Sequence, residues 1–280
     1  MTPDFDAIAR AVRVALDEDI GTGDLTAQLI PDDKQARATI ISREAAVICG
    51  RPWVDAVFEQ VDAATTVRWN VTEGELVAPN RALFTVAGPA RALLTAERTA
   101  LNFLQTLSAT ATATHRFVAA IAGTQCRILD TRKTLPGLRM AQKYAVSCGG
   151  GMNHRIGLFD AILVKENHIS AAGSIAAAVS AARKVSAKAL LEIEVENFEE
   201  LAQALDARGD RIMLDNFSLE DMRKAVRITR EHPHPVALEA SGNVSLDTVR
   251  GIAETGIDFI SIGGLTKHVQ AVDLSMRFEP

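Results

Sequence analysis

The sequence predicts an α/β protein, an open α/β barrel preceded by a smaller N-terminal α+β sandwich-like domain. Three observations carry that expectation. From about residue 127 onward, short apolar runs alternate with helical stretches, the pattern of a parallel sheet wound with helices. Between residues 30 and 90 the runs are instead short and β-rich, with Gly and Pro at the breaks. The chain of 280 residues is 48% hydrophobic, enough to bury a large core in one or two domains.

The elements follow in order. Residues 1–20, "MTPDFDAIARAVRVALDEDI", read as an acidic amphipathic helix and not as a signal peptide. Then come the β-type runs "ARATIISREAAVICG", "TTVRWNV" and "GELVAPNRALFTVAG". Segment 70–87 resembles the sandwich-barrel fold of biotinyl and lipoyl carriers. Those carriers need a lysine at the hairpin tip, whereas Pro79 and Asn80 stand there in this chain. A structural relative with no tethered cofactor is therefore expected.

From residue 91 the texture becomes helical. Leu93, Ala96, Ala100, Phe103 and Leu107 recur at three- and four-residue steps, beside a polar stripe of Arg98, Asn102, Gln105 and Thr112. Six strands follow: "RILDT", "AILVKEN", "LLEIEVEN", "RIMLDN", "PVALEAS" and "FISIGG". Helices are expected between them, for example over 174–188 and 245–255. Six strands rather than eight make the barrel incomplete. The expected division is 1–109 for the sandwich-like domain and 110–268 for the barrel. The tail 269–280 is short and strand-like, able to return to the N-terminal domain.

Bulk properties narrow the function. A formal net charge of −5 argues against nonspecific nucleic-acid binding, which needs a broad basic face. No apolar run approaches membrane-spanning length. Cys49, Cys126 and Cys148 are an odd number in no metal-ligand spacing and fit a reducing cytoplasm.

The strand ends carry the chemistry. Residues two apart in a strand share a face, so Glu192, Glu194 and Glu196 point one way and Leu191, Ile193 and Val195 the other. Helices cover the outer face of a parallel barrel, so the glutamates are expected to face the interior, where a carboxylate needs a cation, a metal or hydroxyl donors. The same counting sets Arg132, Lys165, Asp215, Glu239 with Ser241, and Gly263 at the C-terminal ends of the other strands, where barrel enzymes collect catalytic groups. A purely structural ring of ion pairs would need the same accident six times.

Residues 127–168 hold seven Lys/Arg against three acids, whereas Glu194, Asp215 and Glu239 come later. One side of the mouth is therefore cationic and the other anionic. A ligand with several negative groups, together with a divalent metal or with hydroxyls, would satisfy both, and phosphorylated sugars have that character. "EASGNVS" and "SIGGLTKH" follow the last two strands, and each opens a helix. Ser241, Gly242, Asn243, Gly263 and Gly264 are thus candidates for phosphate binding on backbone N–H groups. The glycines of "CGGGMNHR" deliver His154 and Arg155, and His154 is expected to contact the ligand.

These motifs closely resemble those of the quinolinate phosphoribosyltransferase family. The matching segments are "EDIGTGDLT", "ERTALNFLQTLS", "DTRKTLPGLR", "KYAVSCGGGMNHRIGLFDAILVKENH", "EIEVEN", "IMLDNF", "EASGNV" and "ISIGGLT", in family order from Glu18 to Thr266. The resemblance implies transfer of phosphoribosyl from phosphoribosyl pyrophosphate to quinolinate with decarboxylation, assisted by Mg²⁺. It implies Lys133, Lys165, Glu194 and Asp215 as catalytic, with Glu194 and Asp215 also holding the metal. Arg132, His154, Arg155, Lys165 and Arg98 would clamp the dicarboxylate, Thr131 and Ile262 would join the substrate contacts, and the Ser241 and Gly263 loops would hold phosphate. It further implies a homodimer, or a hexamer, in which Arg98 enters the neighbouring subunit's site.

Three rivals stand beside this reading. A paralogue of the same fold, ModD-like or nicotinate-specific, would lack the decarboxylation. A Schiff-base aldolase would use Lys165 as nucleophile. A carrier built on residues 30–90 would need a modified lysine.

Overall fold

A computed structural model describes residues 2–279. Its contacts divide the chain into two compact units. The first comprises residues up to His115, Leu135–Gly150 and those from Thr266 on; the second comprises Arg116–Thr134 and Gly151–Leu265. The division falls inside one long helix, as does the sequence-based boundary at 109/110.

The first unit opens with α1 (Phe5–Ile20), capped by Asp4, whose carboxylate accepts from the Ala7 N–H at 3.0 Å. Ile8, Val12 and Leu16 recur every fourth residue and are buried. A 3₁₀ turn (Ala27–Leu29) leads to β1 (Gln35–Ser42) and β2 (Ala46–Val47). Helix α2 (Arg51–Val61) precedes β3 (Thr66–Trp69), β4 (Leu76–Val77) and β5 (Arg81–Pro89). Residues 30–90 were expected to be β throughout, and α2 corrects this. Trp53, Val54, Val57 and Phe58 are helically spaced and buried, and Pro52 sits in the first turn, where no N–H is needed.

One sheet has the order β12-β1-β5-β3, with β1 antiparallel to both neighbours. Its last member, β12 (Leu274–Phe278), is the chain's tail laid along β1. A two-stranded sheet pairs β2 with β4. Helices α3 (Ala90–Ala120) and α4 (Arg139–Cys148) add Leu93, Leu104, Leu107 and Ala145 to the core of this unit.

The polar stripe expected on α3 is only partly a solvent face. Arg98 and Asn102 are exposed, but Thr112 is buried and its hydroxyl accepts from the Val47 N–H at 2.8 Å. Ser108 likewise accepts from the Cys49 N–H at 3.0 Å. The helix thus satisfies backbone donors that the short β2 leaves without a ladder partner.

In the second unit all six expected strands form. They are β6 (Arg127–Leu129), β7 (Ala161–Val164), β8 (Leu190–Val195), β9 (Arg211–Asp215), β10 (Ala237–Ser241) and β11 (Phe259–Ser261). They make one parallel sheet in the order β6-β11-β10-β9-β8-β7. Helices α5 (Glu166–Ala172), α6 (Ile175–Val185), α7 (Phe198–Asp206), α8 (Leu219–Glu231), α9 (Leu246–Ala253) and α10 (Gly264–Lys267) follow the strands in turn. Leu191, Ile193 and Val195 pack with Leu201, Leu205, Met222 and Val249 from those helices.

First in sequence, β6 pairs with the last strand, β11, and not with β7. The barrel is therefore open between β6 and β7. Met152 occupies that free edge: its N–H donates to the Ile128 carbonyl at 2.9 Å, and its carbonyl accepts from the Asp130 N–H at 3.1 Å. The glycine-rich segment ahead of His154 is thereby seated as a short strand substitute.

Candidate active site

Within the second unit, the C-terminal ends of the parallel strands bring the expected charges together. Lys165, just past β7, places Nζ 2.6 Å from Glu194 Oε2 on β8. The inward face of β8 is as the alternation predicts. Glu192 is buried and Glu194 half-buried, while Leu191, Ile193 and Val195 point into the helix-covered core. Glu196, beyond the strand, is exposed.

Arg155 senses both sides of the mouth. Burial lowers its affinity for its proton, and the Arg132 guanidinium adds to that; Glu192, Asp160 and Glu194 act in the opposite direction. The two guanidinium charges repel each other, and the neighbouring carboxylates offset that repulsion. Such a pair suits a ligand with two carboxylates.

The segment that carries Arg155 is anchored from below. Asp130, fully buried, accepts from the His154 N–H at 2.8 Å and from the Asn153 side-chain amide at 2.7 Å. Both nitrogens of the His154 ring are turned to the protein. Nδ1 accepts from the Arg155 N–H at 2.7 Å, and Nε2 lies 2.7 Å from Glu192 Oε2 and 3.5 Å from Glu239 Oε2. With Nδ1 accepting, the ring proton sits on Nε2, facing carboxylates. The ring thereby fixes the backbone of Arg155 at the mouth of the site.

Below His154 lies a buried acidic pair. Burial, reinforced by the charge of Glu192, pushes the Glu239 carboxyl up to about 8, although His154 and Ser261 pull it down. Burial also raises Glu192. Arg211 approaches Glu239 at 3.2 Å and stacks its guanidinium 4.2 Å above the Phe259 ring. Asp130, Glu192 and Arg211 support the site and were not assigned roles from sequence, whereas Glu239, counted there among the acids of the mouth, lies fully buried. Period-two counting aims Glu192 inward, whereas Arg211 opens its strand and carries no such signal.

The two glycine loops are shaped by close approach. Gly242 has φ +109°, and a Cβ there would lie 2.1 Å from Asn216 Oδ1. Only glycine fits between the β9 and β10 ends. Asn216 donates from its side-chain amide to Asp215 Oδ2 at 2.8 Å and from its backbone to the Ser241 carbonyl at 2.9 Å. Asp215, Ser241, Gly242 and, next along the chain, Asn243 (φ 46°) thus form one corner.

A Cβ on Gly263 would stand 3.0 Å from Lys133 Cδ and 3.6 Å from Thr131 Oγ1. The bare glycine therefore lets the Lys133 chain cross the β11 end, beside Ile262, whose N–H donates to the Leu129 carbonyl at 2.9 Å. Gly264 opens α10 directly after it. Arg98 belongs to the first unit, exposed on α3.

Glu194 and Asp215 offer hard oxygen donors from neighbouring strands. Glu194 Oε2 is engaged by Lys165 and Asp215 Oδ2 by Asn216, which leaves one oxygen on each. That set fits Mg²⁺, which commonly binds through one or two carboxylates while substrate phosphates and waters complete its shell.

The chain is similar to known proteins over nearly its whole length. The family model described as quinolinate phosphoribosyl transferase, C-terminal domain, matches residues 110–277, and its N-terminal counterpart matches residues 24–108. A probable nicotinate-nucleotide pyrophosphorylase [carboxylating] of Synechocystis is 42% identical over 263 residues, covering 94% of this chain and 89% of its own. The nicotinate-nucleotide pyrophosphorylase [carboxylating] of Mycobacterium leprae is 39% identical over 277 residues and covers 98% of both chains. A solved nicotinate-nucleotide pyrophosphorylase structure from Francisella tularensis superposes with TM-score 0.96 at 49% identity, covering 99% of this chain and 98% of that one.

Proposed function

The chain belongs to the quinolinate phosphoribosyltransferase family, and from that premise we propose how its own residues perform the family reaction. Phosphoribosyl passes from phosphoribosyl pyrophosphate to quinolinate, which loses CO2, and nicotinate mononucleotide and pyrophosphate are released, a step of de novo NAD synthesis. One observation carries the assignment of roles. Cations from the β6 and β7 ends and from the 151–155 segment lie close to the acids of β8, with Lys165 and Glu194 in contact.

Arg132 and Arg155 clamp the two carboxylates of quinolinate through forked hydrogen bonds, with Lys165 beside them. His154 and Asp130 hold the backbone of Arg155 in place and so orient that clamp. Lys133, with Thr131, meets the pyrophosphate, while backbone N–H groups of the Ser241–Asn243 and Ile262–Gly264 segments take phosphate oxygens. Glu194 and Asp215 accept from the ribose hydroxyls. They would also hold Mg²⁺, which when bound neutralises pyrophosphate charge.

The order of events follows from charge. The bond from ribose C1′ to pyrophosphate oxygen breaks, and the oxygen leaves with the electron pair. Positive charge then builds on the ribose, where Glu194 and Asp215 stabilise it electrostatically. The pyridine nitrogen supplies its lone pair to C1′ and becomes cationic. The C2–carboxylate bond can then break, because the cationic ring absorbs the electrons left at C2, and a proton from solvent completes the product. Positioning and electrostatics suffice, and no covalent nucleophile is required. Lys165 stands in an ion pair rather than isolated in an apolar pocket, which does not favour the imine-forming alternative.

The homodimer is part of this proposal, with Arg98 of one subunit completing the neighbour's clamp, and so is a cytoplasmic location. No helix among the described residues is long and apolar enough to cross a membrane.

Two experiments test the reading. Quinolinate labelled in its 2-carboxylate should release labelled CO2 in step with pyrophosphate, and more slowly without Mg²⁺. Turnover of nicotinate with no CO2 would overturn it in favour of a nicotinate-specific paralogue. Mixing Arg98→Ala with Arg132→Ala subunits under exchange should restore activity, because hybrid dimers hold one site with both arginines. Absence of recovery despite verified exchange would refute the shared site.

A further inference from the structure

Three segments far apart in sequence meet inside the first unit. Cys49 lies just ahead of α2, Glu73 in the turn between β3 and β4, and Cys148 at the last residue of α4. One donor atom from each, two sulfurs and a carboxylate oxygen, lies within 4.8 Å of the other two. Cys49 is fully buried, whereas Cys148 is only half-buried and opens the group on one side. Tyr144, one helical turn before Cys148, directs its hydroxyl at the Cys148 sulfur.

The donors are held before any ligand arrives. Glu73 Oε1 accepts from the Gly50 N–H at 2.7 Å, and Oε2 accepts from the Arg51 N–H at 3.1 Å. The Cys49 N–H is fixed by Ser108, and the Gly74 N–H donates to the Ile48 carbonyl at 2.8 Å. A Cβ on Gly74 would stand 3.3 Å from the Cys148 carbonyl oxygen, so the turn is pressed against the end of α4. A constellation fixed by its own backbone contacts binds with little reorganisation.

We propose that Cys49, Cys148 and Glu73 form a binding site for a thiophilic divalent cation, for which zinc is the natural candidate. Two sulfurs and one oxygen are a donor set that zinc accepts and magnesium refuses, and the half-exposed side at Cys148 leaves a fourth position for the Tyr144 hydroxyl or water. Bound metal would cross-link three distant segments, so its affinity would add to the stability of the unit.

Reduced, chelator-stripped full-length protein titrated with Co²⁺ tests this site. Expected is a near-ultraviolet thiolate-to-metal charge-transfer band that saturates at one Co²⁺ per chain and vanishes on adding Zn²⁺. Zn²⁺ should also raise the thermal midpoint. Cys148→Ser should abolish the band and Glu73→Gln should weaken binding at least about tenfold, while Cys126→Ser should leave both readouts unchanged. Co²⁺ at the oxygen donors of Glu194 and Asp215 would give no such band. Should Cys148→Ser not fold, by circular dichroism, Cys49→Ser supplies the same comparison. A band that survives loss of either cysteine overturns the proposal, as does a reduced chain that binds no Co²⁺ and merely oxidises to a Cys49–Cys148 disulfide.

Discussion

Strand β1 of the first unit and strand β8 of the second bury their side chains for different purposes. On β1, Ala38, Ile40 and Ser42 are buried and the residues between them are more exposed. That is the alternation of an antiparallel strand with one face on a core. On β8, Leu191, Glu192 and Ile193 are buried in succession, because helices cover one face and the barrel interior encloses the other. The first strand buries Ala38 and Ile40 against the core and no charge, its one buried polar group being the Ser42 hydroxyl, which donates to the Glu44 carbonyl at 2.7 Å. The second uses its inner face to hold carboxylates where they meet Lys165 and His154. Between these two strands, buried charge marks the site and one-sided apolar burial marks the scaffold.

Substitutions can break that contrast or sharpen it. The largest effect is expected from Arg132→Ala, which removes half of the clamp. A fall in kcat/KM of about a hundredfold or more should accompany an almost unchanged thermal midpoint. Near-normal kcat/KM would mean that the mouth of the second unit does not bind the dicarboxylate as assigned.

Ile40→Ala should do the reverse. It leaves a cavity in the core of the first unit and should cost about 2–5 kcal/mol of stability in denaturant unfolding. The KM for quinolinate, measured on the folded fraction, should hardly change. A large rise in KM would show that β1 shapes the site as well as the scaffold.

A change that appears only as a pH dependence is expected from Glu239→Gln. The folded-state carboxyl is raised to about 8 from an ordinary value of 4.5, so the folded protein holds a proton that the unfolded chain releases. Its contribution to stability is complete below the ordinary value and is lost as pH rises through about 8. His154, Glu192, Arg211 and Ser261 face the same group. The neutral variant should therefore gain on the parent as pH rises from 5 to 8, and parallel stability curves would refute the buried proton.

Much of the barrel was legible because its signals are local. A run such as "LLEIEVEN" states its own period, so the six strands and the inward aim of Glu192 and Glu194 follow from counting. Helix α2 was equally local but was masked by the β-rich runs around it, although Trp53, Val54, Val57 and Phe58 carry the helical spacing. Thr112 misled for a different reason. Its polarity suggests solvent, but its partner is the Val47 N–H, and nothing near Thr112 in sequence announces a donor that distant.

By itself, the sequence determined where strands end, which residue types stand at those ends, and the family to which the motifs belong. The order of the sheet was left to the tertiary structure. Pairing β6 with β11 opens the barrel beside β7 and seats Met152 in the gap, and it is this that turns Arg155 toward Arg132 and both nitrogens of His154 toward the protein. The same holds for Cys49, Glu73 and Cys148, whose spacing matches no ligand pattern yet whose donor atoms converge. Periodicity acts over a few residues along the chain. Convergence of distant groups depends on which surfaces pack together, and the lowest free energy of the whole fold decides that.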